Sequence, residues 1–291
     1  MQVRFLKPGE ESLWYEFIDE MSGERFTQAP DYRPETHIVC EEANKIVGGM
    51  ELIIDEPDMV ILYNPLAQTN APAEILDVLI KKGLEVAQPL NCHRLLGLIQ
   101  DNDQREVADR SFYKADFRFA MEKALYTIRP GSPISNRADF PLTFKSLKEI
   151  GERGFVNFLA MVYEPDVFDS EPDECFFALK RRAIASRRFY PEDWLVAYLD
   201  KREVGIIMPQ LHDEKGTGSN FYLGVLSDVR RKGIGKILQA KSIAILINRE
   251  VKLILGSCDI KNIGMVKIFE ALHYKFEAYQ YFYQFMVKDN K

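Results

Sequence analysis

Apolar and polar residues recur with two different periods along this chain, and together the two periods predict a mixed α/β protein. Short apolar runs, often paired across a polar turn, predict β-strands. Apolar residues spaced three and four apart predict amphipathic helices between them. In the first half, the predicted strands are Val3–Leu6, His37–Glu42, Val47–Ile54, Val60–Tyr63, Arg94–Ile99 and Glu122–Ile128, and the predicted helices are Leu13–Met21 and about Pro72–Ala87.

The second half repeats this order of elements. Its predicted strands are Leu142–Leu147, Trp194–Leu199, Val204–Met208, Phe221–Leu226, Leu253–Leu255 and Tyr279–Val287, and its predicted helices are Ile150–Val162, Cys175–Arg188 and Gly235–Arg249. Between the halves, prolines, a glycine and polar residues in Arg129–Asp139 interrupt both periods. We therefore predict a domain at residues 1–129, a linker at 130–141 and a domain at 142–291. Divergent duplication is the preferred explanation, although two unrelated α/β units would share much of this pattern.

Composition narrows the class of protein. Of the 291 residues, 46% are hydrophobic and 28% are charged, as in an ordinary globular protein. A chain of this length can bury a hydrophobic core that is stable without a disulfide or a structural metal. A net charge of −6 argues against nonspecific nucleic-acid binding. No apolar run is long enough to span a membrane, and the N-terminus is charged too early for a secretory signal, so we expect a cytoplasmic protein. The dispersed cysteines and histidines predict reduced thiols and no metal site.

The segment from Leu223 to Lys236 carries the clearest chemical signal. An apolar strand runs into a turn with Gly233 and Gly235, where the backbone can approach a ligand, and a helix follows directly. The first N–H groups of that helix face the turn, and Arg230, Arg231, Lys232 and Lys236 add positive charge. These features predict a pyrophosphate site. A solvated basic helix start or a nucleic-acid patch is the alternative, whereas the spacing fits neither a Walker loop nor a Rossmann turn.

These residues resemble the GNAT superfamily of N-acetyltransferases. The family's Gln/Arg-x-x-Gly-x-Gly/Ala loop is matched by residues 230–235, and its next strand, Asn and helix are matched by Leu253–Ser257, Asn262 and a helix that ends near Tyr274. The detailed resemblance covers about Trp194–Val287. It implies an α/β fold with a mixed sheet and two tandem acyl-CoA N-acyltransferase-like domains. The N-terminal copy is degenerate, because residues 64–72 have two prolines and no glycine where the loop belongs.

The resemblance also implies a reaction and a set of site residues. The reaction is direct transfer of an acetyl group from acetyl-CoA, in a ternary complex, to a primary amine of a small molecule or peptide. Main-chain groups of Val225 and Leu226 are expected to hold the pantetheine and polarise the thioester carbonyl, and Asn262 to contact the pantetheine arm or order a nearby water. The pyrophosphate is expected on Arg230, Arg231, Lys232, Gly233, Ile234, Gly235 and Lys236.

The proton-transfer groups are less well defined. The resemblance also places Phe269 among the cofactor-binding residues, at the position where the family often has a tyrosine that protonates the thiolate. Phenylalanine cannot donate a proton. The general base is unassigned among Tyr222, Asp259, His273 and Tyr274, of which Tyr222 and Tyr274 are the candidate proton donors. This departure leaves a second possibility open, a catalytically silent acyl-CoA-binding or sensor protein.

The layout resembles double-domain acetyltransferases of the mycothiol synthase type. That resemblance implies that the first copy shapes the acceptor cleft and takes the place of a dimer partner, so we expect a monomer without nucleic-acid or membrane partners. Lys180–Arg182 and Arg187–Arg188 form a basic helix, most simply a solvated face and alternatively a site for the CoA 3′-phosphate or an acidic acceptor. No motif specifies the amine acceptor.

Overall fold

A computed structural model describes residues 1–22, 34–55, 59–72, 74–90, 92–131, 141–164, 171–185, 187–212 and 216–286. Residues 132–140, which make up most of the predicted linker, lie outside this range. Contacts divide the chain into two compact units, Met1–Lys123 with Tyr279–Lys291, and Ala124–Ala278. The C-terminal segment therefore lies in the first unit, although it follows the second unit in sequence.

Strands and helices follow the same order in both halves of the chain, except that the second half has one more helix, Pro172–Ala185. They are β1 (Gln2–Phe5), α1 (Glu11–Ser22), β2 (His37–Glu42), β3 (Lys45–Asp55), β4 (Met59–Ala67), α2 (Glu74–Ala87), β5 (Arg94–Gln100), α3 (Arg105–Lys114), β6 (Phe117–Ile128), β7 (Thr143–Ser146), α4 (Leu147–Val162), α5 (Pro172–Ala185), β8 (Leu195–Leu199), β9 (Arg202–Leu211), β10 (Thr217–Val225), α6 (Ile234–Asn248), β11 (Leu253–Asp259), α7 (Ile263–Ala271) and β12 (Lys275–Phe285). A short 3-10 turn, Ser227–Val229, precedes α6.

The first unit is a mixed sheet in the order β1-β2-β3-β4-β5-β12-β6, to which β12 and β6 contribute only part of their length. Strands β1 to β4 are antiparallel neighbours, β4 and β5 are parallel, and β12 is antiparallel to β5 from Gln280/Gln100 to Gln284/Leu96. Helices α2 and α3 cover a core that includes Tyr281 of β12. The last strand of the chain thus completes the core of this unit.

The second unit has the sheet order β12-β6-β11-β10-β9-β8-β7, again with parts of β12 and β6. Strands β10 and β11 are parallel, and β7 to β10 are antiparallel neighbours. A Cβ on Gly205 would lie 2.5 Å from Leu238 of α6, and one on Gly224 would lie 2.6 Å from Val162 of α4. Because these glycines face opposite sides of the sheet, α6 and α4 cover opposite faces.

The predicted α/β fold is confirmed, and the differences in element bounds have local causes. Strand β4 continues through Asn64 and a proline to Ala67, with Asn64 at a φ of 47° where the register with β3 shifts. Strand β10 begins at Thr217, four residues before the predicted start. The sequence pattern did not predict this first part of the strand because Gly218 and Asn220 interrupt the apolar run. Both residues are nevertheless paired with β9, and the register shifts between Asn220 and Tyr222.

Candidate functional site

The two parallel strands of the second unit diverge towards their carboxyl ends. Within the described residues, β10 and β11 pair only from Thr217/Leu253 to Ser219/Leu255, whereas β10 stays paired with β9 as far as Val225. Beyond Ser219, main-chain groups of β10 that face β11 are left without a strand partner. Ligands of open α/β sheets bind at the carboxyl ends of parallel strands. The gap between β10 and β11, which we call the wedge, is therefore a candidate ligand site.

The loop between β10 and α6 presents a row of backbone donors beside the wedge. Gly233, the residue before α6, has a φ of 85°, and Arg231 has a φ of 62°. Within the described part of the chain, no acceptor bonds to the N–H groups of residues 231–236. Unbonded N–H groups at the positive end of a helix dipole form an anion site. A Cβ on Gly233 would meet nothing within 4 Å, so the approach is open and the residues fit a pyrophosphate.

Gly235 faces the wedge itself. A Cβ at this position would lie 2.8 Å from Ile268 Cδ1 of α7 and 3.9 Å from side-chain atoms of Leu223 and Val225. Any side chain here would therefore enter the space between α7 and β10. The structure places this glycine at the inner wall of the wedge, whereas Gly233 lies on its open outer side.

The basic residues of the loop differ in whether their side chains are already bonded to other parts of the protein. Arg230 donates from Nε to the Val225 carbonyl at 2.9 Å and pairs from Nη1 with Glu164 Oε1 at 2.6 Å. Arg231 and Lys232 are exposed, Lys236 is half-buried on the first turn of α6, and none of the three forms an ion pair with a described residue. Positive charge is thus available beside the unbonded N–H groups.

The two main-chain positions at the end of β10 point in different directions. Leu226 donates its N–H to the Val204 carbonyl at 3.0 Å, which directs this N–H towards β9. Because a trans peptide orients its C=O and N–H oppositely, the Val225 carbonyl faces the wedge. In an extended strand the N–H of a residue points to the same side as its C=O, so the Val225 N–H also faces the wedge. Of the two predicted donors, only that of Val225 is directed at the candidate site.

Asn262 lies at the start of α7 and keeps part of its side chain free. Its Oδ1 accepts the Met265 N–H at 3.0 Å, which caps the helix. The residue is exposed, and its side-chain NH₂ donates to no described residue. An Asn at this position can therefore cap α7 and still donate to a ligand in the wedge.

Phe269 lies in the core of the second unit, 2% exposed. Its ring stacks on Tyr126 at 4.7 Å between centroids and contacts Tyr274 at 4.8 Å. A Cβ on Gly256 would lie 2.6 Å from the Phe269 ring, so a glycine in β11 makes room for it. Phe269 is placed as a packing residue between α7 and the sheet.

The two candidate proton donors both have hydrogen-bonded hydroxyl groups. The Tyr222 hydroxyl donates to the Val162 carbonyl at 3.0 Å and accepts the Glu164 N–H at 3.3 Å. The Tyr274 hydroxyl accepts from Gln239 Nε2 at 2.7 Å, and burial raises the pKa of Tyr274 well above its ordinary value. The Tyr222 hydroxyl proton is therefore donated to a main-chain carbonyl, and burial makes the Tyr274 hydroxyl a poor proton donor to a thiolate.

The two other polar candidates are also explained locally. Asp259 Oδ1 accepts the Lys261 N–H at 2.7 Å and closes the turn after β11. His273 is exposed, with a φ of 60° directly after α7, a position where helices most often have glycine. The glycine of the family motif is thus replaced by a histidine that keeps the left-handed conformation. Glu164, the partner of Arg230, was not singled out by any motif because 66 positions separate the pair.

The corresponding gap in the first unit is bridged by side chains. Strands β4 and β5 pair in parallel as far as Tyr63/Leu98. Beyond that point, Gln104 accepts the Ala67 N–H at 2.8 Å through Oε1 and donates through Nε2 to the Ala67 carbonyl. Asn64 Oδ1 also accepts the Gln100 N–H at 3.1 Å. Main-chain groups that are open in the second unit are therefore satisfied internally in the first.

This bridge predicts a stability effect. We expect Gln104→Ala to lower the free energy of unfolding by about 1–3 kcal/mol, because both main-chain groups of Ala67 lose their partner. Gln68→Ala is the matched control, because Gln68 is partly buried like Gln104 but its side chain donates to the exposed Glu20 at 3.0 Å, and it should change stability by about 0.5 kcal/mol or less. Urea unfolding of the full chain measures both. Equal effects of the two variants would contradict the bridging role.

Comparison with known proteins identifies a family domain in the second half of the chain. The acetyltransferase (GNAT) family model matches residues 156–274, which contain the wedge, the donor loop and α7. None of the curated proteins compared with the chain matches it. The second half of the chain therefore carries an acetyltransferase (GNAT) family domain.

Solved structures extend the likeness to the whole chain. A GCN5-related N-acetyltransferase from Sphaerobacter thermophilus is 14% identical with a TM-score of 0.71, over 97% of this chain and 94% of its own. A tandem GNAT protein of the clavulanic acid biosynthesis pathway is 12% identical with a TM-score of 0.59, over 99% and 100%. A GCN5-related glucosamine N-acetyltransferase region of a fungal multi-domain protein is 13% identical with a TM-score of 0.63, over 98% and 38%. The tandem GNAT-like fold is therefore confirmed.

The described residues contain no group of three or more His, Cys, Asp or Glu side chains that could hold a metal ion. No helix within the described ranges is long and apolar enough to cross a membrane.

Proposed function

We propose that this protein transfers an acetyl group from acetyl-CoA to a primary amine of a small molecule or peptide. The observation that carries the proposal is the row of unbonded N–H groups at residues 231–236, next to a wedge that the Val225 N–H faces without a strand partner. The N–H groups of residues 231–236 can donate to the pyrophosphate. The wedge can accept the extended pantetheine arm beside β10, as a sheet edge accepts an extended peptide. Exposed Arg231 and Lys232 attract the anionic co-substrate.

The reaction follows from these positions. The Val225 N–H donates to the thioester carbonyl and stabilises the charge that develops there when the amine nitrogen attacks the carbonyl carbon. The carbon–sulfur bond then breaks, the thiolate leaves and the amine loses a proton to solvent. Thiols have a pKa of about 8.5, so CoA thiolate is a tolerable leaving group near neutral pH without a protein acid. Positioning and carbonyl polarisation carry most of the catalysis.

This scheme predicts modest effects of the two tyrosines. We expect Tyr222→Phe and Tyr274→Phe to lower kcat by less than about tenfold, because general acid catalysis is typically worth 10²–10⁴-fold and neither hydroxyl supplies it here. Steady-state rates of free-CoA release measure the effect, with thermal unfolding as a control for lost packing. A hundredfold loss of kcat in a folded variant would reject the water-assisted scheme and identify the acid.

The acceptor is best identified directly. A panel of amino sugars, polyamines, amino acids and peptide amines, scored by free-CoA release, tests the proposal. One similar structure is a glucosamine N-acetyltransferase region, so amino sugars belong in the first round. We also propose that the chain acts as a monomer, which size-exclusion chromatography tests.

A catalytically silent acyl-CoA-binding protein is the second candidate. It is favoured by buried Phe269 and by the engaged hydroxyls of Tyr222 and Tyr274. Binding of CoA without turnover of any amine in the panel would support it. Turnover of one amine, at a rate that falls when Val225 or the loop between β10 and α6 is changed, would exclude it.

A further inference from the structure

Arg230 connects the wedge with helix α4. Its Nε donates to the Val225 carbonyl, which faces the wedge, and its Nη1 pairs with Glu164 just beyond the end of α4. The Arg230 side chain is 40% exposed and that of Glu164 is 69% exposed. Both groups are therefore accessible to a ligand and free to exchange partners.

The backbone next to Glu164 is fixed on β10. The Tyr222 hydroxyl donates to the Val162 carbonyl and accepts the Glu164 N–H. Gly224 lets the end of α4 approach closely, because a Cβ there would lie 2.6 Å from Val162 Cγ2. The Glu164 carboxylate thus starts from a backbone position that is held on β10, while the carboxylate itself is exposed.

In this arrangement the guanidinium covers a main-chain acceptor that the pantetheine arm needs. We propose that Glu164 is a positioning residue of the acyl-CoA site, holding Arg230 on the Val225 carbonyl until the pyrophosphate of acyl-CoA draws the guanidinium away. This inference rests on the proposed function. Glu164 and the pyrophosphate then compete for one guanidinium, so Glu164 lowers the affinity of the site for CoA.

The competition predicts the effect of removing the carboxylate. We expect Glu164→Gln to lower the Kd for CoA about two- to fivefold, the range that corresponds to an exposed ion pair. We expect Arg230→Gln to raise the Kd, and Glu164→Gln to have no specific effect in the Arg230→Gln background. Isothermal titration calorimetry with CoA measures all four proteins without knowledge of the amine acceptor.

Asp228 provides a matched control for general electrostatics. It lies in the short turn before the same loop and pairs with Arg202 at 2.8 Å, with both side chains about half exposed. Asp228→Asn removes the same negative charge without touching Arg230. Tighter CoA binding by Glu164→Gln than by Asp228→Asn, lost in the Arg230→Gln background and without a change in thermal unfolding, supports the proposal.

Three results would overturn it. If Glu164→Gln and Asp228→Asn have equal effects, or if Glu164→Gln weakens binding, Glu164 does not compete for Arg230. If the effect of Glu164→Gln persists in the Arg230→Gln background, it does not act through the guanidinium. Failure of the wild-type chain to bind CoA would be a different result, because it removes the proposed function itself.

Discussion

We expect Gly235→Glu to weaken CoA binding by at least about a hundredfold. A side chain at this position enters the space between Ile268 and the end of β10, which is the inner wall of the wedge. Its carboxylate would lie beside the pyrophosphate site and repel the phosphates. A unit charge about 4 Å away interacts with about 4 kcal/mol at an effective dielectric of 20, and 1.4 kcal/mol is a factor of ten in Kd.

The matched control for this variant is Gly235→Ala. It introduces the same Cβ, with the same crowding of Ile268 Cδ1 at 2.8 Å, but no charge. Gly233→Glu is a second test, because open space surrounds that position. Calorimetry with CoA measures binding, and circular dichroism checks that each variant is folded. Wild-type affinity in folded Gly235→Glu and Gly233→Glu proteins would remove the loop from the binding site.

The second large effect concerns the last strand. We expect Tyr283→Ala to lower the free energy of unfolding by about 3–5 kcal/mol, the range for truncating a buried aromatic side chain. Tyr283 is 1% exposed and stacks on Phe112 of α3 at 5.1 Å between centroids. Gln284→Ala is the control, because the neighbouring Gln284 is exposed and pairs with β5 through its backbone alone. Urea unfolding measures both variants.

The strands that lose hydrogen-exchange protection in Tyr283→Ala show which unit depends on β12. Amide hydrogen exchange in Tyr283→Ala should show loss of protection in β5, which β12 pairs with, while β9 of the second unit retains its protection. A chain that ends after Met286 should behave like wild type, and one that ends after Ala278 should lose the first unit. Loss of protection mainly in β9 would contradict the placement of this strand.

Local patterns in the sequence were enough to predict the elements and the loop. The strand before residues 230–235 and the helix after them were both visible as apolar runs, and the glycines marked the turn between them. The partner of each strand was not predictable in the same way, because a period of two identifies a strand without naming its neighbour. The pattern at Tyr279–Val287 therefore predicts a strand but cannot show that it pairs with β5.

The candidate site was predictable where it depends on backbone and not where it depends on distant side chains. Gly233, with its positive φ, and the residues from Arg231 to Lys236 follow from a local motif. The Glu164–Arg230 pair and the Gln104 bridge join positions 66 and 37 residues apart, and no local spacing reports such contacts. Phe269 occupies a motif position, but its burial depends on Gly256 in another strand.

The position of β12, the last strand of the chain, in the first unit also has a consequence for synthesis of the protein. Residues of β5 emerge from the ribosome long before Tyr279–Phe285, which they must pair with. At about 5–20 residues per second, the delay is on the order of ten seconds or more. During that time the nascent first unit has an unpaired strand edge that other chains can join. Synthesis rate and chaperone supply should therefore govern the yield of this protein more strongly than its final stability does.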